Sequence, residues 1–525
     1  MPDPHRAVPA RNDHHVVIIG SGIGGLSAAL ELACAGLKVT VLERADSIGG
    51  KLHQRYVNGI GIDSGPTVFT MRWVFDGLFQ KAGSRLETML GIHRQEILAR
   101  HAWSQNERLD LYADHQHSAI EIESFAGKAQ ADLFLKFCEQ ARTTYRAMEK
   151  AYIRSERPSF VSMNAELGVS GMKVLWDVGL FKSLWQSLSR YFPDKRLHQL
   201  FSRYATYCGS SPLQAPATLM LIADVEMQGV WVIHGGMTAL AKAIASLATQ
   251  HGATIRTNAD VSEILMRHGN ASGVRLADGE TIKSHSVIFN GDVAALKNGL
   301  VRIEGQTDAF GPHEDDLEKR SLSAITLSMH APTSGFPLVH HNLFFHDDYA
   351  SEFQDIFSRR KLPEKPTVYL CAQDRRDHAP VAAEAERLLL LINAPATGDR
   401  QTFNAPEIDA CLEAGFSLMQ RCGLSIGQTE ANTVVSTPAS FHRRFPATGG
   451  ALYGHATHGW MSSFARHSSN SPIPGLYLAG GSVHPGPGVP MAALSGRLAA
   501  ATLMGRLGLI KPSGRVVISG GTSTH

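Results

Sequence analysis

A strand, a glycine-rich turn and a helix follow one another near the start of the chain, and this order constrains the fold more than any other feature. Residues 16–19 form a continuous apolar run, as a buried parallel strand requires. The turn "GSGIGG" at 20–25 matches GxGxxG through Gly20, Gly22 and Gly25. Such glycines permit a tight turn, close approach of a pyrophosphate and close helix–strand packing. We therefore predict an α/β domain that binds a dinucleotide.

An acidic residue stands where a dinucleotide-binding unit needs one. The helix stops at Gly36, a second strand covers 38–42, and Glu43 ends that strand 18 residues after Gly25. A carboxylate at this place accepts hydrogen bonds from a ribose diol. Up to this point the pattern fits NAD and FAD equally.

A second glycine pair discriminates between the two cofactors. Gly49 and Gly50 let the loop after Glu43 fold back over the diphosphate, within reach of Lys51. The run resembles the extended FAD fingerprint of the amine oxidase and phytoene desaturase superfamily, in which GxGxxG is followed by Glu and then by GG(R/K). We therefore expect FAD.

Two later segments also combine a pair of glycines with a helix and a strand. "HGGM" at 234–237 begins a helix that stops at Gly252 before another strand, and the resemblance places Val261 at the adenine. Further on, 476–479 is read as a strand, Gly480-Gly481 as a turn and Pro490 as a helix start. The N–H groups of that last helix are expected to face the isoalloxazine carbonyls.

These segments predict a chain of several domains, as 525 residues require. Strand-like stretches at 325–329, 367–371 and 388–392 predict a second sheet, and helical pattern dominates 130–225. We expect an FAD-binding domain from 11–80, 225–295 and 465–510, a substrate-binding or lid domain from 81–224 and 296–464, and flexible tails at 1–14 and 511–525.

One stretch has an amphipathic pattern. In "LFKSLWQSLSRYF", residues 180–192, aromatic and aliphatic residues fall on one helical face and Lys182 and Arg190 lie opposite. An interfacial helix at a membrane uses this combination, and a helix packed on the core uses the same apolar face. The sequence leaves both interpretations open and favours the core.

Three runs carry a family resemblance over nearly the whole chain: "GIGIDSGPTVFTMRWVFDGLF" at 59–79, "LVHHNLFFHDDYASEF" at 338–353 and "LYLAGGSVHPGPGVP" near the C-terminus. They are similar to the bacterial carotenoid desaturases, and "GPTVFTMRWVFD" is closest to the 1-hydroxycarotenoid 3,4-desaturases. The fold class implied is a Rossmann-type α/β FAD domain of the amine oxidase/phytoene desaturase superfamily, with an α+β substrate domain and a helical, membrane-facing part.

The resemblance implies a reaction on a long apolar carotenoid. Hydride leaves the substrate for flavin N5, a neighbouring proton is lost, and the polyene delocalises the positive charge. The expected location is the cytoplasmic face of the inner membrane, with membrane quinone or oxygen as electron acceptor. Alternatives are phytoene or other carotenoid desaturation, oxidation or isomerisation, amine oxidation, and a non-catalytic carotenoid carrier. No cysteine follows Cys422, which disfavours a covalent flavin.

The resemblance also assigns site residues. Cofactor binding is expected of Gly20, Ser21, Gly22, Ile23, Gly24, Gly25, Glu43, Arg44, Gly49, Gly50, Lys51, Gly65, Pro66, Thr67, Val261, Gly480, Gly481, Val489, Pro490 and Met491.

Catalytic roles are less defined. Arg72 follows the flavin loop and is a candidate to hydrogen-bond the flavin or, as the resemblance implies for this subgroup, a tertiary hydroxyl of the substrate. The alternative is a salt bridge with Asp63 or Asp76. His340 and His341 are candidates for proton removal. Adjacent residues of a strand point to opposite faces, so no metal site is predicted from this pair.

Composition excludes several other functions. A formal charge of +2 gives no argument for nucleic-acid binding, and the six cysteines contain no CxxC that would predict a zinc site or a disulfide framework. The polar N-terminal residues lack the apolar middle of a signal peptide, and no apolar run of about 18 residues predicts a membrane span.

Overall fold

Three principal sheets organise the chain. The structure, a computed structural model, describes residues 12–156, 160–179, 181–306, 308–311, 316–376 and 384–510. In chain order the strands are β1 (Asn12–Ile19), β2 (Leu37–Leu42), β3 (Gln54–Val57), β4 (Ile60–Asp63), β5 (Ile92–Arg94), β6 (Ile97–Ala102), β7 (Arg108–Tyr112), β8 (Trp231–Ile233), β9 (Thr254–Arg256), β10 (Val261–Arg267), β11 (Asn270–Leu276), β12 (Thr281–Lys283), β13 (Ser286–Phe289), β14 (Arg302–Ile303), β15 (Ser323–Ala331), β16 (Thr333–Ser334), β17 (His341–Phe344), β18 (Val368–Ala372), β19 (Glu386–Ala394), β20 (Ser425–Ile426), β21 (Thr433–Ser436) and β22 (Leu476–Leu478).

Helices connect and cover these sheets. The α-helices are α1 (Ile23–Cys34), α2 (Trp73–Lys81), α3 (Leu86–Met89), α4 (His115–Ala126), α5 (Lys128–Met148), α6 (Phe160–Val178), α7 (Leu184–Leu188), α8 (Lys195–Ser202), α9 (Leu221–Gln228), α10 (Met237–Gln250), α11 (Val293–Lys297), α12 (Tyr349–Phe353), α13 (Ala405–Arg421), α14 (Pro438–Arg444) and α15 (Val489–Arg506). Shorter 3-10 or π turns lie at Glu149–Ile153, Arg203–Cys208, Ala217–Met220, Asp316–Lys319, Gln354–Arg359, Glu430–Asn432 and Ser462–Ala465.

The first sheet is parallel and draws its strands from distant parts of the sequence. Its order is β22-β13-β1-β2-β9, and Val17 pairs with both Thr40 and Val287. The apolar run of β1 is fully buried, as the sequence predicts for a strand covered on both faces. The segments near residues 12–42, 254–289 and 476–478 thus share one sheet, and the carboxyl ends of their strands meet at one edge.

A mixed seven-stranded sheet forms the second layer, in the order β21-β15-β19-β18-β17-β6-β7. It contains the three strand-like stretches named above, which confirms their prediction. A four-stranded sheet, β12-β11-β10-β14, contacts the first sheet through β11 and β13. The helical pattern predicted for 130–225 is also confirmed, by α5 to α9.

Helices α1, α10 and α15 pack against one another beside the parallel sheet. At their centre Arg497 Nε donates to Glu31 Oε1 at 2.7 Å, and both side chains are buried. Lys81 of α2 pairs with the other Glu31 oxygen. A buried carboxylate with two cationic partners fixes the relative position of α1, α2 and α15.

The stretch 180–192 does not form the long amphipathic helix that its pattern predicts. Within its described part, 181–192, only Leu184–Leu188 is helical, because Ser183 begins a new helix as its N-cap, with its hydroxyl accepting from Gln186 N. Leu184, Leu188 and Phe192 are buried in the core, so that part of the face packs inward as the sequence favoured. Phe181 remains 64 % exposed.

The N-terminal boundary also differs from the prediction. Strand β1 begins at Asn12, so residues 12–14, assigned to a flexible tail, belong to the parallel sheet. His14 and His15 are held there by Ser286 Oγ and the Lys283 carbonyl oxygen. The remainder of both predicted tails lies outside the described residues. Among the described helices, none combines the length and the apolar character needed to cross a bilayer.

Candidate active site

The glycine turn after β1 is packed too tightly for side chains. Gly20 has φ +94°, and a Cβ at Gly25 would lie 2.1 Å from the Gly20 carbonyl oxygen. A Cβ at Gly24 would lie 2.8 Å from the Ala492 carbonyl oxygen. Asn290, which sequence reasoning did not assign, donates from Nδ2 to the Gly20 carbonyl oxygen at 3.1 Å. This amide therefore holds the turn from the end of the neighbouring strand β13.

Glu43 is oriented by its own neighbourhood. Its Oε2 accepts from Ser21 N at 2.8 Å and from Ser21 Oγ at 2.7 Å, and Oε1 accepts from Ala45 N at 2.9 Å. The carboxylate lines the cavity at the sheet edge, whereas Ser21 does not. Ser21 therefore positions the acidic group that is predicted to bind ribose.

The second glycine pair folds back onto the first turn, as the sequence predicts. Gly49 N donates to the Ser21 carbonyl oxygen at 3.0 Å, and a Cβ at Gly50 would lie 3.0 Å from Gly22 Cα. Lys51 Nζ donates to the Leu452 carbonyl oxygen at 2.5 Å. Burial lowers the pKa of Lys51, and Asp292 opposes that shift.

Two side-chain carboxylates cap helices α10 and α11. Asp63 accepts from Met237 N and from Thr238 Oγ1, the latter at 3.0 Å, and so caps α10. Burial raises the pKa of Asp63. Asp292 accepts from Ala294 N at 3.0 Å and is the N-cap of α11. Helices α1 and α15, by contrast, begin at Gly22 and Gly488 with no side-chain cap.

One cavity of about 1240 Å³ joins these features. Every residue predicted to bind cofactor lines it except Ser21 and Gly25. The uncapped N-termini of the 12-residue α1 and the 18-residue α15 both open into it. Free N–H groups at helix N-termini bind anionic or carbonyl oxygens, and glycines leave room for a closely held diphosphate. The residues present therefore fit FAD.

The glycine turns and the N-termini of α1 and α15 together form the dinucleotide cradle. The cavity extends beyond this cradle to the seven-stranded sheet. Its further wall is mainly apolar and includes Leu219, Leu221, Ile222, Val225, Leu343 and Leu391. Segment 440–446 closes the other side, where Arg44 Nη2 donates to the Arg444 carbonyl oxygen at 2.7 Å. The cradle and the apolar wall are thus parts of one space.

Arg72 is placed outside this cavity. Its Nε lies 3.2 Å from Asp76, and Nη2 pairs with Glu87. The salt bridge considered from sequence is therefore formed with Asp76 and Glu87, and Asp63 takes no part. The structure does not bring Arg72 to the predicted ring site.

The two histidines do not point to opposite faces, and this premise of the prediction was wrong. Strand β17 begins at His341, so His340 precedes it and turns back, leaving the two rings 4.6 Å apart. With Cys371 their ligand-type atoms lie within 4.8 Å of one another. His340 Nε2 is 3.5 Å from Cys371 Sγ, and burial raises the pKa of that thiol to about 12. The contact between His340 Nε2 and Cys371 Sγ is a hydrogen bond.

His341 is linked to the cavity through hydroxyl groups. Its Nδ1 lies 2.7 Å from Tyr369 OH, which lies 2.6 Å from Thr67 Oγ1. Tyr369 and Thr67 line the cavity. Burial, His340 and Arg203 hold the pKa of His341 well below its ordinary value, and burial raises the pKa of Tyr369. The imidazole is therefore neutral and the phenol protonated at neutral pH.

Comparisons with known proteins agree with this geometry. Residues 23–504 match the family of flavin containing amine oxidoreductases. The chain is 55% identical over 522 residues to a hydroxyneurosporene desaturase from Rubrivivax gelatinosus, covering 99% of this chain and 98% of the relative. It is 39% identical over 493 residues to a hydroxyneurosporene desaturase from Cereibacter sphaeroides, covering 94% and 98%. The fold is also similar to an oxidoreductase from Methanosarcina mazei, at 16% identity and a TM-score of 0.58, covering 92% and 99%.

Proposed function

The chain belongs to the carotenoid desaturases of the flavin-containing amine oxidoreductase family, and we propose that it introduces a C-3,4 double bond into acyclic 1-hydroxycarotenoids. It is an FAD-dependent oxidoreductase that acts on carotenoid CH–CH bonds in carotenoid biosynthesis. The observation that carries the proposal is the continuity of the cavity, which joins the dinucleotide cradle to a long apolar wall. A long polyene in such a space reaches the cofactor without contact with water.

The chain contributes to the reaction mainly by positioning the polyene beside the cofactor. FAD, when bound, supplies the acceptor for the hydride that leaves the substrate. The apolar wall excludes water and holds the polyene, whose conjugation spreads the positive charge. No strong nucleophile is needed.

The chain itself must take the remaining proton. We propose that Tyr369 oxygen receives it while the phenolic proton passes to Nδ1 of His341. This needs the His341 tautomer that carries hydrogen on Nε2, an atom with no hydrogen-bond partner among the described residues. Thr67 holds the phenol in line at 2.6 Å. Thr67 and Tyr369 touch the substrate space, and His341 acts through them.

The origin of the strands in each sheet supports a division of the chain into two domains. We propose an FAD-binding domain of residues 11–80, 225–295 and 465–510, and a substrate-binding domain of 81–224 and 296–464. The parallel sheet takes all its strands from the first set, and the seven-stranded sheet takes its strands from the second.

We also propose peripheral attachment to the cytoplasmic face of the inner membrane. An aromatic patch is formed by Trp176, Phe181 and Trp460. The ring centroid of Phe181 lies 6.3 Å from that of Trp176 and 5.3 Å from that of Trp460. Trp176 is 71 % exposed, and the exposed Lys182 adjoins Phe181. Aromatic rings beside cations suit a headgroup interface, where the apolar substrate is dissolved.

Replacing both Trp176 and Phe181 with alanine should weaken binding to anionic vesicles by about 100-fold or more, since each buried ring contributes about 1.5–3 kcal/mol. Co-sedimentation measures the effect. Tyr56→Ala is the matched control, because Tyr56 is 66 % exposed on the β3–β4 hairpin. Equal loss in both variants, or none in the double variant, would rule out the aromatic patch as the attachment surface.

A substrate panel tests the proposed reaction. FAD-loaded protein is given vesicles that contain 1-hydroxyneurosporene, its non-hydroxylated counterpart or phytoene, with either oxygen or a membrane quinone as acceptor. A new conjugated double bond shifts absorption to the red. We expect the shift with the hydroxylated carotenoid. Conversion of phytoene with no conversion of the hydroxylated compound would refute the proposed substrate, and the two acceptor arms identify the oxidant.

A further inference from the structure

A small polar cluster interrupts the apolar wall of the cavity. Arg203, Tyr207 and Tyr349 all line it, and Arg203 and Tyr349 are only 7 % and 4 % exposed. Arg203 and Tyr207 lie on the 3-10 turn Arg203–Cys208, and Tyr349 begins α12. A buried guanidinium in a mainly apolar wall needs a nearby negative charge and hydrogen bonds to offset the cost of removing it from water.

Glu226 provides that compensation from behind the wall. Arg203 Nη2 lies 3.9 Å from Glu226 Oε1, and Nη1 donates to Tyr207 OH at 3.1 Å. Tyr204 and Tyr207 both donate to the Glu226 carboxylate, Tyr204 at 2.9 Å. Neither Glu226 nor Tyr204 lines the cavity. Glu226 therefore balances the charge of Arg203, whereas the Tyr204 hydroxyl bonds to Glu226 Oε2, the oxygen that Arg203 does not face.

Two polar atoms of the cluster have no partner among the described residues, Arg203 Nε and Tyr349 OH. A buried polar group without a hydrogen bond destabilises the folded state by about 1–3 kcal/mol. Groups retained at that cost in a cavity wall indicate a ligand that supplies the missing bonds. The ligand must be apolar along most of its length and carry an oxygen that accepts hydrogen bonds, as a hydroxyl oxygen does.

The cluster also lies beside the proposed proton acceptor. The Arg203 charge is near enough to lower the pKa of His341, and Tyr369 stands in the same wall. In a 1-hydroxycarotenoid the carbinol carbon is only two or three bonds from C-3 and C-4. With its hydroxyl held at the cluster, the substrate therefore has that bond inside the cavity that Tyr369 also lines.

We propose that Arg203, Tyr207 and Tyr349 form a hydroxyl-binding subsite that selects carotenoids with a tertiary hydroxyl at the reacting end. This inference rests on the proposed function and adds to it the residues that determine specificity. Arg203 Nε–H donates to the substrate oxygen, and Tyr349 OH exchanges a hydrogen bond with the same hydroxyl.

The test compares two carotenoids in two measurements. Dissociation constants for 1-hydroxyneurosporene and for its non-hydroxylated counterpart are measured on FAD-loaded protein, together with kcat/KM for each. We expect Tyr349→Phe and Arg203→Gln each to reduce the preference for the hydroxylated compound by about tenfold. Tyr349→Phe removes no hydrogen bond within the described protein, so its folding is expected to be unchanged.

Tyr204→Phe is the matched control, because it removes a bond to Glu226 without touching the cavity. It should lower thermal stability and leave the preference intact. Preference unchanged in Tyr349→Phe and Arg203→Gln overturns the subsite while leaving carotenoid desaturation in place. Equal reduction in Tyr204→Phe also overturns it, in favour of a structural role. Wild-type protein that converts neither carotenoid refutes the proposed function, and the subsite with it.

Discussion

Replacing Glu43 with alanine is expected to weaken FAD binding by about 100-fold, because hydrogen bonds to a charged acceptor contribute about 1.5–3 kcal/mol each. The carboxylate lines the cavity at the end of β2 and is held there by Ser21 and Ala45. Its loss removes both the expected ribose contact and a brace between the two glycine loops. Titration of apoprotein with FAD, followed by flavin fluorescence, measures the change.

Asp46→Ala is the control for Glu43→Ala. Asp46 is exposed on the same loop and does not line the cavity, and among the described residues it accepts a hydrogen bond only from Ser47 Oγ, at 3.0 Å. FAD affinity should stay within about twofold of wild type, as for most surface substitutions. Full flavin occupancy in Glu43→Ala would contradict the ribose role.

Tyr369→Phe is expected to lower kcat by about 100-fold or more, the usual contribution of a positioned proton-transfer group. The change removes only the hydroxyl between Thr67 and His341, so FAD affinity and carotenoid affinity should stay near wild type. Single-turnover desaturation measures the effect. Tyr145→Phe is the control, since Tyr145 is a buried tyrosine that does not line the cavity.

The pH profile gives a second check on this assignment. The folded-state pKa of His341 is depressed, so the imidazole stays neutral as pH falls through its ordinary value of about 6.5. The wild-type kcat should therefore not fall between pH 8 and 6.5 through this group. A sharp acid limb near pH 6.5, or an unchanged kcat in Tyr369→Phe, would exclude His341 and Tyr369 from proton removal.

Sequence predicted the parts of the site that depend on local geometry. The glycines at 20, 22 and 25, the acidic end of β2 and the start of α15 lie where their spacing placed them, because each is fixed by a few adjacent residues. Asn290 stood in the same "FNGD" run as Asp292 and was not assigned. Its contact with Gly20 spans 270 positions, and no local pattern encodes it.

Errors arose where tertiary packing overrode a local rule. Alternation along a strand misplaced His340, because the strand begins one residue later. The helix predicted over 180–192 did not allow for the N-cap at Ser183, where a new helix begins. No local sequence pattern predicted a binding role for Arg203 and Tyr349, because the cavity that they line is formed by distant segments of the chain. For Tyr369 a signal existed: Thr367 and Tyr369 are polar at alternate positions of an apolar stretch and both line the cavity.

Anaerobic single turnover tests the central claim most directly, that this chain's own flavin and cavity desaturate a hydroxylated carotenoid. FAD-loaded protein is mixed with vesicles containing 1-hydroxyneurosporene, without oxygen or quinone, and flavin and polyene absorption are followed together. We expect one flavin bleached for each double bond formed, with the red shift of the polyene appearing at the same rate. Product formed while the flavin stays oxidised, or an occupied flavin that is never bleached, would contradict the account.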